Sequence, residues 1–387
     1  MYPTITDLLK DLFGINLPMP IQSFGFFVAI SFLLANYFFG KELFRKETEG
    51  LMFTNMKKIL VGKKVSVIEL GTSFLVAFLL AYKIVGMILN YDEFTHNPQH
   101  FLLSYEGSFI GGLLGGAISA YLKFKEKDKE KLATPIWKDL VMHPHEHVGN
   151  MTIIAAISGI IGAKIFHNLE NWDEFMADPI DGLISFSGLT MYGGLILGSI
   201  SVIYYANKNN LYVPHVIDSS APSIMLAYGT GRIGCQLSGD GDWGINNLAP
   251  KPNWMSFLPD WMWSFSYPHN VISEGIPISE CEGSHCNMLA NPVWPTPFYE
   301  SIMCIALFFV LWSIRKKIKT PGVLFSIFLI LNGTERFLIE KIRVNTEYNI
   351  LGGVTQAEII STILFFLGVV GIFYFNKLER KKQTIAH

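Results

Sequence analysis

Two arginines lie within long apolar segments of the sequence, where a charged side chain is costly. Arg232 stands among the glycines of 229–234, and Arg336 stands four residues before Glu340, on the same face of a predicted helix. A charge in hydrocarbon indicates a function by default. The guanidinium group binds two phosphate oxygens at once, and the phosphate that a membrane offers is a lipid headgroup. The residues therefore favour two arginines that converge on a lipid phosphate over an Arg336–Glu340 pair that only packs the helices.

Glycine-rich turns lie at the ends of two apolar segments. Tyr192 is followed by Gly193 and Gly194 at the start of one segment, and the run 239–244 follows another. Glycine lets the backbone approach a headgroup closely. It is equally typical of close packing between helices, as we expect for the glycines of 111–116. Both interpretations stay open for the two turns.

The composition predicts that these residues lie on membrane-spanning helices. Half of the 387 residues are hydrophobic and 16% are charged, against about 25% charged in an average soluble protein. This composition excludes a soluble enzyme and a disordered chain, and a net charge of −2 gives nucleic acid no electrostatic footprint. Apolar runs of about 18 residues or more predict an all-α, polytopic membrane protein with nine spans. The predicted spans are 21–40, 66–89, 106–122, 149–167, 189–206, 216–237, 297–314, 322–340 and 355–376.

The positions of lysine and arginine predict the orientation. With the N-terminus outside and the C-terminus in the cytoplasm, the inner segments hold 22 of the 30 basic residues and the outer segments hold 4. This asymmetry follows the rule that cytoplasmic loops are positively charged. The other four lie inside spans, where we expect Lys83 to reach the interface. For Lys164, one turn from an outer end, an interface position and a substrate contact both stay open.

The remaining segments predict how the chain is organised. Residues 1–20 indicate an amphipathic helix on the outer leaflet, with a loose tail as the alternative. The transmembrane domain spans 21–376, with an insertion at 41–148 that adds two spans. A second insertion at 244–296 forms an outer loop rich in tryptophan, and residues 377–387 form a basic cytoplasmic tail.

Cysteine and histidine suggest two further features. Cys281 and Cys286 share the outer loop, where an oxidising exterior favours a disulfide over a zinc site with His285. The run 143–147 reads His-Pro-His-Glu-His, but alternate histidines in a polar loop are weak evidence for a metal. We therefore predict no metal site.

These motifs resemble the prolipoprotein diacylglyceryl transferase family. Residues 231–244 are similar to its signature Gly-Arg-x-Gly-Asn-Phe-x-Asn-x-Glu-x-x-Gly, with one extra residue before the last glycine. Residues 336–343 match its Arg-Phe-x-x-Glu-x-x-Arg, and Tyr299-Glu300 resembles the Tyr-Glu at the head of a late span. Members have seven spans, which equals nine minus the two in the first insertion.

The resemblance implies transfer of the diacylglyceryl group of phosphatidylglycerol to the lipobox cysteine of prolipoproteins. This is the first step of bacterial lipoprotein maturation and takes place in the cytoplasmic membrane, with the active site open to the outer side. The resemblance also implies that the reaction needs no cofactor and that the protein contacts membrane lipids. The predicted catalytic residues are Arg232, Arg336, Glu340 and Tyr192. The predicted substrate-binding residues are Arg232, Arg336, Asp240, Gly193, Gly194, Gly244, Arg343 and Lys164.

The sequence departs from the family pattern near the predicted proton acceptor. Tyr192 stands where the family has histidine, Cys235 where the signature has asparagine, and Asp240 where it has glutamate. Tyr192 is thus a candidate hydrogen-bonding group or base, with Glu340 or the lipid phosphate as the other acceptors. Two alternative functions stay open, a lipid-binding relative without catalysis and, less favoured, a transporter.

Overall fold

The computed structural model describes most of the chain, and its described residues are 1–17, 19–96, 101–102, 104–185, 188–281, 283–344, 347–348 and 353–385. Several predicted segments therefore extend in part beyond the described residues. They are the arm 1–20, the first insertion 41–148, the segments 168–188 and 341–354 between predicted spans, the loop 244–296 and the tail 377–387.

The protein is mostly helical. Its helices are α1 (Ile5–Phe13), α2 (Ser23–Thr48), α3 (Val67–Leu89), α4 (Tyr91–His96), α5 (Phe109–Lys129), α6 (Val148–Glu170), α7 (Trp172–Ala177), α8 (Pro179–Ile184), α9 (Met191–Lys208), α10 (Val213–Ser238), α11 (Thr296–Ile314), α12 (Val323–Glu340) and α13 (Gln356–Ile385). Every predicted span coincides with a long helix. Within the described residues, five helices (α2, α3, α6, α11 and α13) are long and apolar enough to cross a membrane. The chain is thus a helical membrane protein, while the count of nine spans stays a prediction.

Three short strand pairs accompany the helices, and the prediction of an all-α protein did not include them. The longest pair is antiparallel, with β1 (Asn55–Val61) facing β2 (Ile136–Met142), both within the first insertion. Their branched and aromatic side chains suit a strand, but the partners are far apart in the sequence. Two smaller pairs join β3 (Ile276–Pro277) to β4 (Asn287–Met288) and β5 (Glu347–Tyr348) to β6 (Val354–Thr355).

The chain divides into two compact units, which are described separately. Unit 1 comprises residues 1–53, 143–158 and 197–387, and unit 2 comprises 54–142 and 159–196. In unit 2, the glycines of α5 pack against α3. A Cβ on Gly112 would lie 2.8 Å from the Phe78 ring, so only glycine allows this close approach. The expected packing role of these glycines is confirmed.

In unit 1, α10 packs against α2, α11 and α12. Met225 of α10, Leu311 of α11 and Leu324 of α12 form part of one hydrophobic cluster and are almost completely buried. Burial among neighbouring helices lets α10 keep an internal proline, Pro222, in a membrane protein. The three helices that carry the charged residues are therefore held together by apolar packing.

The loop 244–296 and the residue before it share a small core in unit 1. Trp243, Tyr267, Leu289 and Val293 are buried together. The Tyr267 hydroxyl donates a hydrogen bond to Gln236 Oε1 at the end of α10, at 2.8 Å. Since the loop also contains a disulfide between Cys281 and Cys286, it is a folded element and not a loose connection.

Candidate active site: three arginines around a buried carboxylate

Three arginines of unit 1 converge on one glutamate. Arg232 lies near the end of α10, Arg336 lies on α12, and Arg343 follows α12 by three residues. Glu300 lies in the second turn of α11 and its side chain has no solvent exposure. Asp242 and Glu340 also pair with these arginines. We call the group of six residues the arginine cluster: Arg232, Arg336, Arg343, Glu300, Asp242 and Glu340.

Glu300 contacts all three guanidinium groups. Its Oε2 lies 2.8 Å from Arg232 Nε, and its Oε1 lies 2.9 Å from Arg336 Nη1 and 3.5 Å from Arg343 Nη1. The Tyr228 hydroxyl donates a further hydrogen bond to Oε1 at 3.1 Å. A buried charge is stable only when it is paired and hydrogen-bonded. Glu300 therefore holds three cations together where they would otherwise repel one another.

Asp242 bridges two of the arginines from the more exposed side. Its Oδ2 pairs with Arg232 Nη1, and its Oδ1 pairs with Arg343 Nη2. The Asp242 side chain is 31% exposed, whereas Arg232 and Arg343 are about as buried as core residues, at 9% and 10%. The negatively charged Asp242 carboxylate thus contacts both guanidinium groups on the side that is closer to solvent.

The glycines beside Arg232 set the position of its helix. A Cβ on Gly229 would lie 3.0 Å from Cβ of Cys304 on α11, and a Cβ on Gly234 would lie 3.1 Å from the Phe24 backbone on α2. Larger residues would push these helices apart. The glycine run that the sequence associates with Arg232 therefore serves helix packing, which brings Arg232 within reach of α11.

Asp218 fixes α12, the helix that carries Arg336. The Asp218 carboxylate on α10 accepts hydrogen bonds from the backbone N–H groups of Gly322 and Phe325, both at 2.8 Å. The first N–H groups of a helix have no partner within the helix, and a carboxylate there is favourable. Asp218 thus supplies from α10 the cap that α12 lacks in its own sequence.

Gly244 connects the segments that carry Asp242 and Arg343. Its N–H donates to Trp294 O at 2.9 Å, and the next residue, Ile245, donates to Ile342 O at 2.9 Å. A Cβ on Gly244 would lie 2.3 Å from Ile342 O. Gly244 is therefore required for backbone contact, and its predicted place in a headgroup pocket remains a prediction.

Glu340 contacts Arg336, as the four-residue spacing predicts. Arg336 Nη2 lies 3.1 Å from Glu340 Oε2, and the Thr355 hydroxyl donates to Glu340 Oε1 at 2.7 Å. The arginine therefore contacts two carboxylates, one on α11 and one on its own helix. The structure brings together Arg232, Arg336, Glu340 and Arg343 of the predicted site.

Glu335 differs from the other acidic residues near the cluster. It is 3% exposed, and neither of its carboxylate oxygens has a hydrogen-bond partner within the described part of the chain. It interacts electrostatically with Glu300 and with the three arginines. A buried carboxyl group without a partner is costly and often marks a functional site. In the sequence, Glu335 stands directly before Arg336 and is a further charged residue within a predicted span.

Asp240 lies beside the cluster, in the loop after α10. Burial raises the pKa of its carboxyl group above the ordinary value. Ligand atoms of Asp240, Cys235 and Asp242 lie within 4.8 Å of one another, a spacing that a metal ion could use. Because Asp242 is already paired with two arginines, a cation at this position would meet strong repulsion.

The other predicted site residues lie in unit 2. Lys164 Nζ donates to Ser185 Oγ at 3.0 Å, and Tyr192 lies in the first turn of α9. A Cβ on Gly193 would lie 2.4 Å from Gly162 O, and one on Gly194 would lie 3.0 Å from the backbone of α6. The two glycines therefore serve helix packing, and their contact with substrate stays a prediction.

Two residues of the cluster were not among the predicted site residues. In the sequence, Glu300 belongs to the Tyr-Glu motif and Asp242 to the glycine-rich run 239–244, and neither pattern assigns the residue a place in the site. Their roles depend on which helices meet. Besides the Tyr-Glu motif, the signal for Glu300 is its place at the head of an apolar span, since a charge there indicates function.

Comparisons with known proteins agree with these observations. The model of the family described as Prolipoprotein diacylglyceryl transferase matches residues 132–374, which include the whole arginine cluster. The chain is similar to three proteins that are each described as a phosphatidylglycerol–prolipoprotein diacylglyceryl transferase. The one from Leptospira interrogans is 26% identical over 325 residues, which cover 70% of this chain and 89% of the relative.

The other two relatives come from clostridia. The Clostridium tetani protein is 30% identical over 239 residues, which cover 62% of this chain and 83% of the relative. A Clostridium perfringens protein, number 2 of its kind, is 29% identical over 282 residues, which cover 72% of this chain and 94% of the relative. The similarity thus extends over most of each relative.

We expect Glu300→Gln to destabilise the protein by about 3–5 kcal/mol, since removing one partner of a buried ion pair leaves uncompensated charge. Thermal unfolding in detergent measures the change. Asp260→Asn is the matched control, because Asp260 forms an exposed pair with Lys251 and such pairs contribute little. Equal unfolding temperatures for Glu300→Gln and the wild type would contradict the central role of Glu300.

Proposed function

Because the chain belongs to the prolipoprotein diacylglyceryl transferase family, we propose that it transfers the diacylglyceryl group of phosphatidylglycerol to the lipobox cysteine of prolipoproteins. The reaction is the first step of bacterial lipoprotein maturation. The observation that carries the proposal is the convergence of three arginines on Glu300, with an exposed carboxylate between two of them. This arrangement suits a phosphate group that must be held and released.

The protein must catalyse this reaction in two ways. The cysteine thiol loses its proton, its sulfur attacks a glycerol carbon, and the bond from that carbon to the phosphate oxygen breaks. The products are a thioether and glycerol phosphate. Since the thiolate is the nucleophile, a base must accept the thiol proton. Since negative charge grows on the leaving phosphate, fixed cations in a water-poor site lower the barrier.

Arg232 and Arg343 hold the lipid phosphate in this proposal. Asp242 now pairs with both guanidinium groups and is the most exposed carboxylate of the cluster. Its two oxygens stand in for two phosphate oxygens, so the phosphate binds by displacing Asp242. Arg336 completes the positive surface, and Glu300 and Glu340 orient it. Asp240 shapes the headgroup pocket together with Gly244.

Glu335 is the proposed proton acceptor. Glu300 and Glu340 are each tied to arginines, so protonation of either would weaken an ion pair. Glu335 is buried, interacts electrostatically with Glu300 and the three arginines, and has no hydrogen-bond partner in the described residues. Its protonation therefore breaks no hydrogen-bonded ion pair. Tyr192 then acts as a hydrogen-bonding group for the substrate, and Lys164, Gly193 and Gly194 are further proposed contacts.

The protein lies in the bacterial cytoplasmic membrane in this proposal, with nine spans, the N-terminus outside and the active site open to the outer side. Loop charge supports this orientation, because 22 of the 30 lysines and arginines fall in the inner segments. The lipobox cysteine of an exported prolipoprotein would reach the site from the same side.

We expect Arg232→Ala and Arg336→Ala to abolish transfer. Purified protein in nanodiscs with phosphatidylglycerol receives a lipobox peptide, and mass spectrometry detects a diacylglyceryl adduct on the peptide cysteine. Arg315→Ala is the control, since Arg315 also pairs with a buried carboxylate, Glu42, but lies outside the cluster. Normal turnover in either cluster variant would exclude the phosphate assignment.

The same assay separates the alternative functions. Adduct from the wild type establishes the transferase. Absence of adduct while phosphatidylglycerol copurifies and stays bound would instead identify a lipid-binding relative without catalysis. Uptake of a solute into proteoliposomes without adduct would identify a transporter.

We expect Asp242→Asn to lower the KM for phosphatidylglycerol about tenfold, because the lipid phosphate no longer competes with a charged hydrogen-bonding partner. Steady-state kinetics in mixed micelles measures the change, with Asp260→Asn as the matched exposed control. A higher KM in Asp242→Asn would show that Asp242 positions the arginines and does not occupy the phosphate position.

We expect Glu335→Gln to lower kcat by about 100-fold or more with little change in KM, since loss of a general base slows proton transfer and not binding. Tyr192→Phe should keep most of its kcat. Single-turnover assays of both variants measure the rate of thioether formation. The opposite outcome, with a slow Tyr192→Phe and a normal Glu335→Gln, would assign the proton to Tyr192.

A further inference from the structure

One carboxylate and two imidazoles converge at the C-terminal end of α2, far along the chain from the arginine cluster. His143 Nδ1 lies 2.6 Å from Glu47 Oε1, and His145 Nδ1 lies 3.5 Å from Glu47 Oε2. The ligand atoms of all three residues lie within 4.8 Å of one another. Both imidazoles thus direct a ring nitrogen at separate oxygens of the same carboxylate.

Among the residues that the structure describes, the Glu47 carboxylate pairs with no lysine or arginine, although Arg45 and Lys46 stand next to it in the sequence. The guanidinium of Arg45 pairs with Glu42 and Glu49. The Lys46 ammonium points elsewhere and donates to His215 O at 3.1 Å. The negative charge of Glu47 is therefore left to the two imidazoles. Its Oε2, like His145 Nδ1, is buried without a hydrogen-bond partner within the described residues.

The two histidines are held by their own surroundings. The backbone N–H of His143 donates a hydrogen bond to Glu146 Oε2 at 2.8 Å. The Glu146 carboxylate is therefore already engaged and is not counted as a further ligand. The His145 ring packs edge-on against Phe44, with centroids 5.4 Å apart. The rings are 5.5 Å from each other. These contacts keep both imidazoles near Glu47.

We propose that Glu47, His143 and His145 bind a divalent d-block cation such as Zn²⁺. Imidazole and carboxylate ligands suit such ions, and three protein ligands with one open position are typical of zinc sites that also bind water. Bonds of about 2.0–2.2 Å to an ion would replace the direct contact between His143 Nδ1 and Glu47 Oε1. The side chains are 16%, 44% and 35% exposed, in the order Glu47, His143, His145, so an ion and a water molecule can enter.

The cation would tie the two ends of the first insertion together. Glu47 and His143 are 96 residues apart in the sequence, and the segment between them contains α3, α5 and the β1–β2 pair. Both ligand positions belong to unit 1. A metal bond across this separation closes a long loop, which restricts the unfolded chain more than a short loop would. The site thus clamps the root of the insertion and is independent of the proposed transferase activity.

The test is zinc binding by the full chain, purified without a histidine tag and stripped of metal. We expect titration with Zn²⁺ to show one tight site in the wild type. Affinity should fall more than about 100-fold in Glu47→Gln and in His145→Ala, since loss of even an outer-sphere partner costs about 10–100-fold. Zn²⁺ should raise the unfolding temperature of the wild type but not of the variants.

Controls separate this site from other ligands of the chain. His285→Ala and Cys235→Ser remove ligands outside the site and should bind Zn²⁺ as the wild type does. Co²⁺ in place of zinc should give a tetrahedral spectrum without a thiolate charge-transfer band. Equal affinity of Glu47→Gln and the wild type, or no tight site in the wild type, would overturn the proposal. Metal-free unfolding temperatures verify that each variant folds.

Discussion

The buried carboxylate of Glu300 is the interaction on which the rest of the site depends. Three guanidinium groups within a membrane protein repel one another and lose their hydration, and each loss costs several kcal/mol. Glu300 compensates by contacting all three with two oxygens, at 2.8 to 3.5 Å. These contacts need α10, α11 and α12 at fixed separations. The glycines of α10 and the Asp218 cap of α12 supply those separations.

Burial gives the two carboxylates that bridge the arginines different roles. Glu300 has no exposed surface, so its contacts with the arginines are little screened and no ligand can replace it. Asp242 is 31% exposed and binds the same cations from outside. In the proposed function, an arriving phosphate would compete with Asp242, while Glu300 would keep the arginines in place. A fixed inner anion and an exchangeable outer one are what a site needs to bind and release a charged leaving group.

The sequence predicts local features of this protein well, but it predicts poorly which distant segments contact each other. The long helices and the Arg336–Glu340 contact depend on apolar runs and on a four-residue spacing, and both are visible along the chain. The partners of Glu300 depend on which helices pack together. The β1–β2 pair joins residues 55–61 to residues 136–142, so that paired residues are 75 to 87 positions apart in the sequence. The unpartnered state of Glu335 can be recognised only once its neighbours are known.

The position of the predicted second insertion explains how the arginine cluster can include residues on both sides of it. The loop 244–296 separates Asp242 from Glu300 in the sequence, yet its two ends are joined by backbone hydrogen bonds. Gly244 N–H donates to Trp294 O at 2.9 Å, and Trp294 N–H donates to Ile245 O at 3.1 Å. Once the ends are fixed, added loop length costs little, because closure entropy grows only slowly with length. The segment between them can therefore acquire its own core and disulfide without moving either carboxylate.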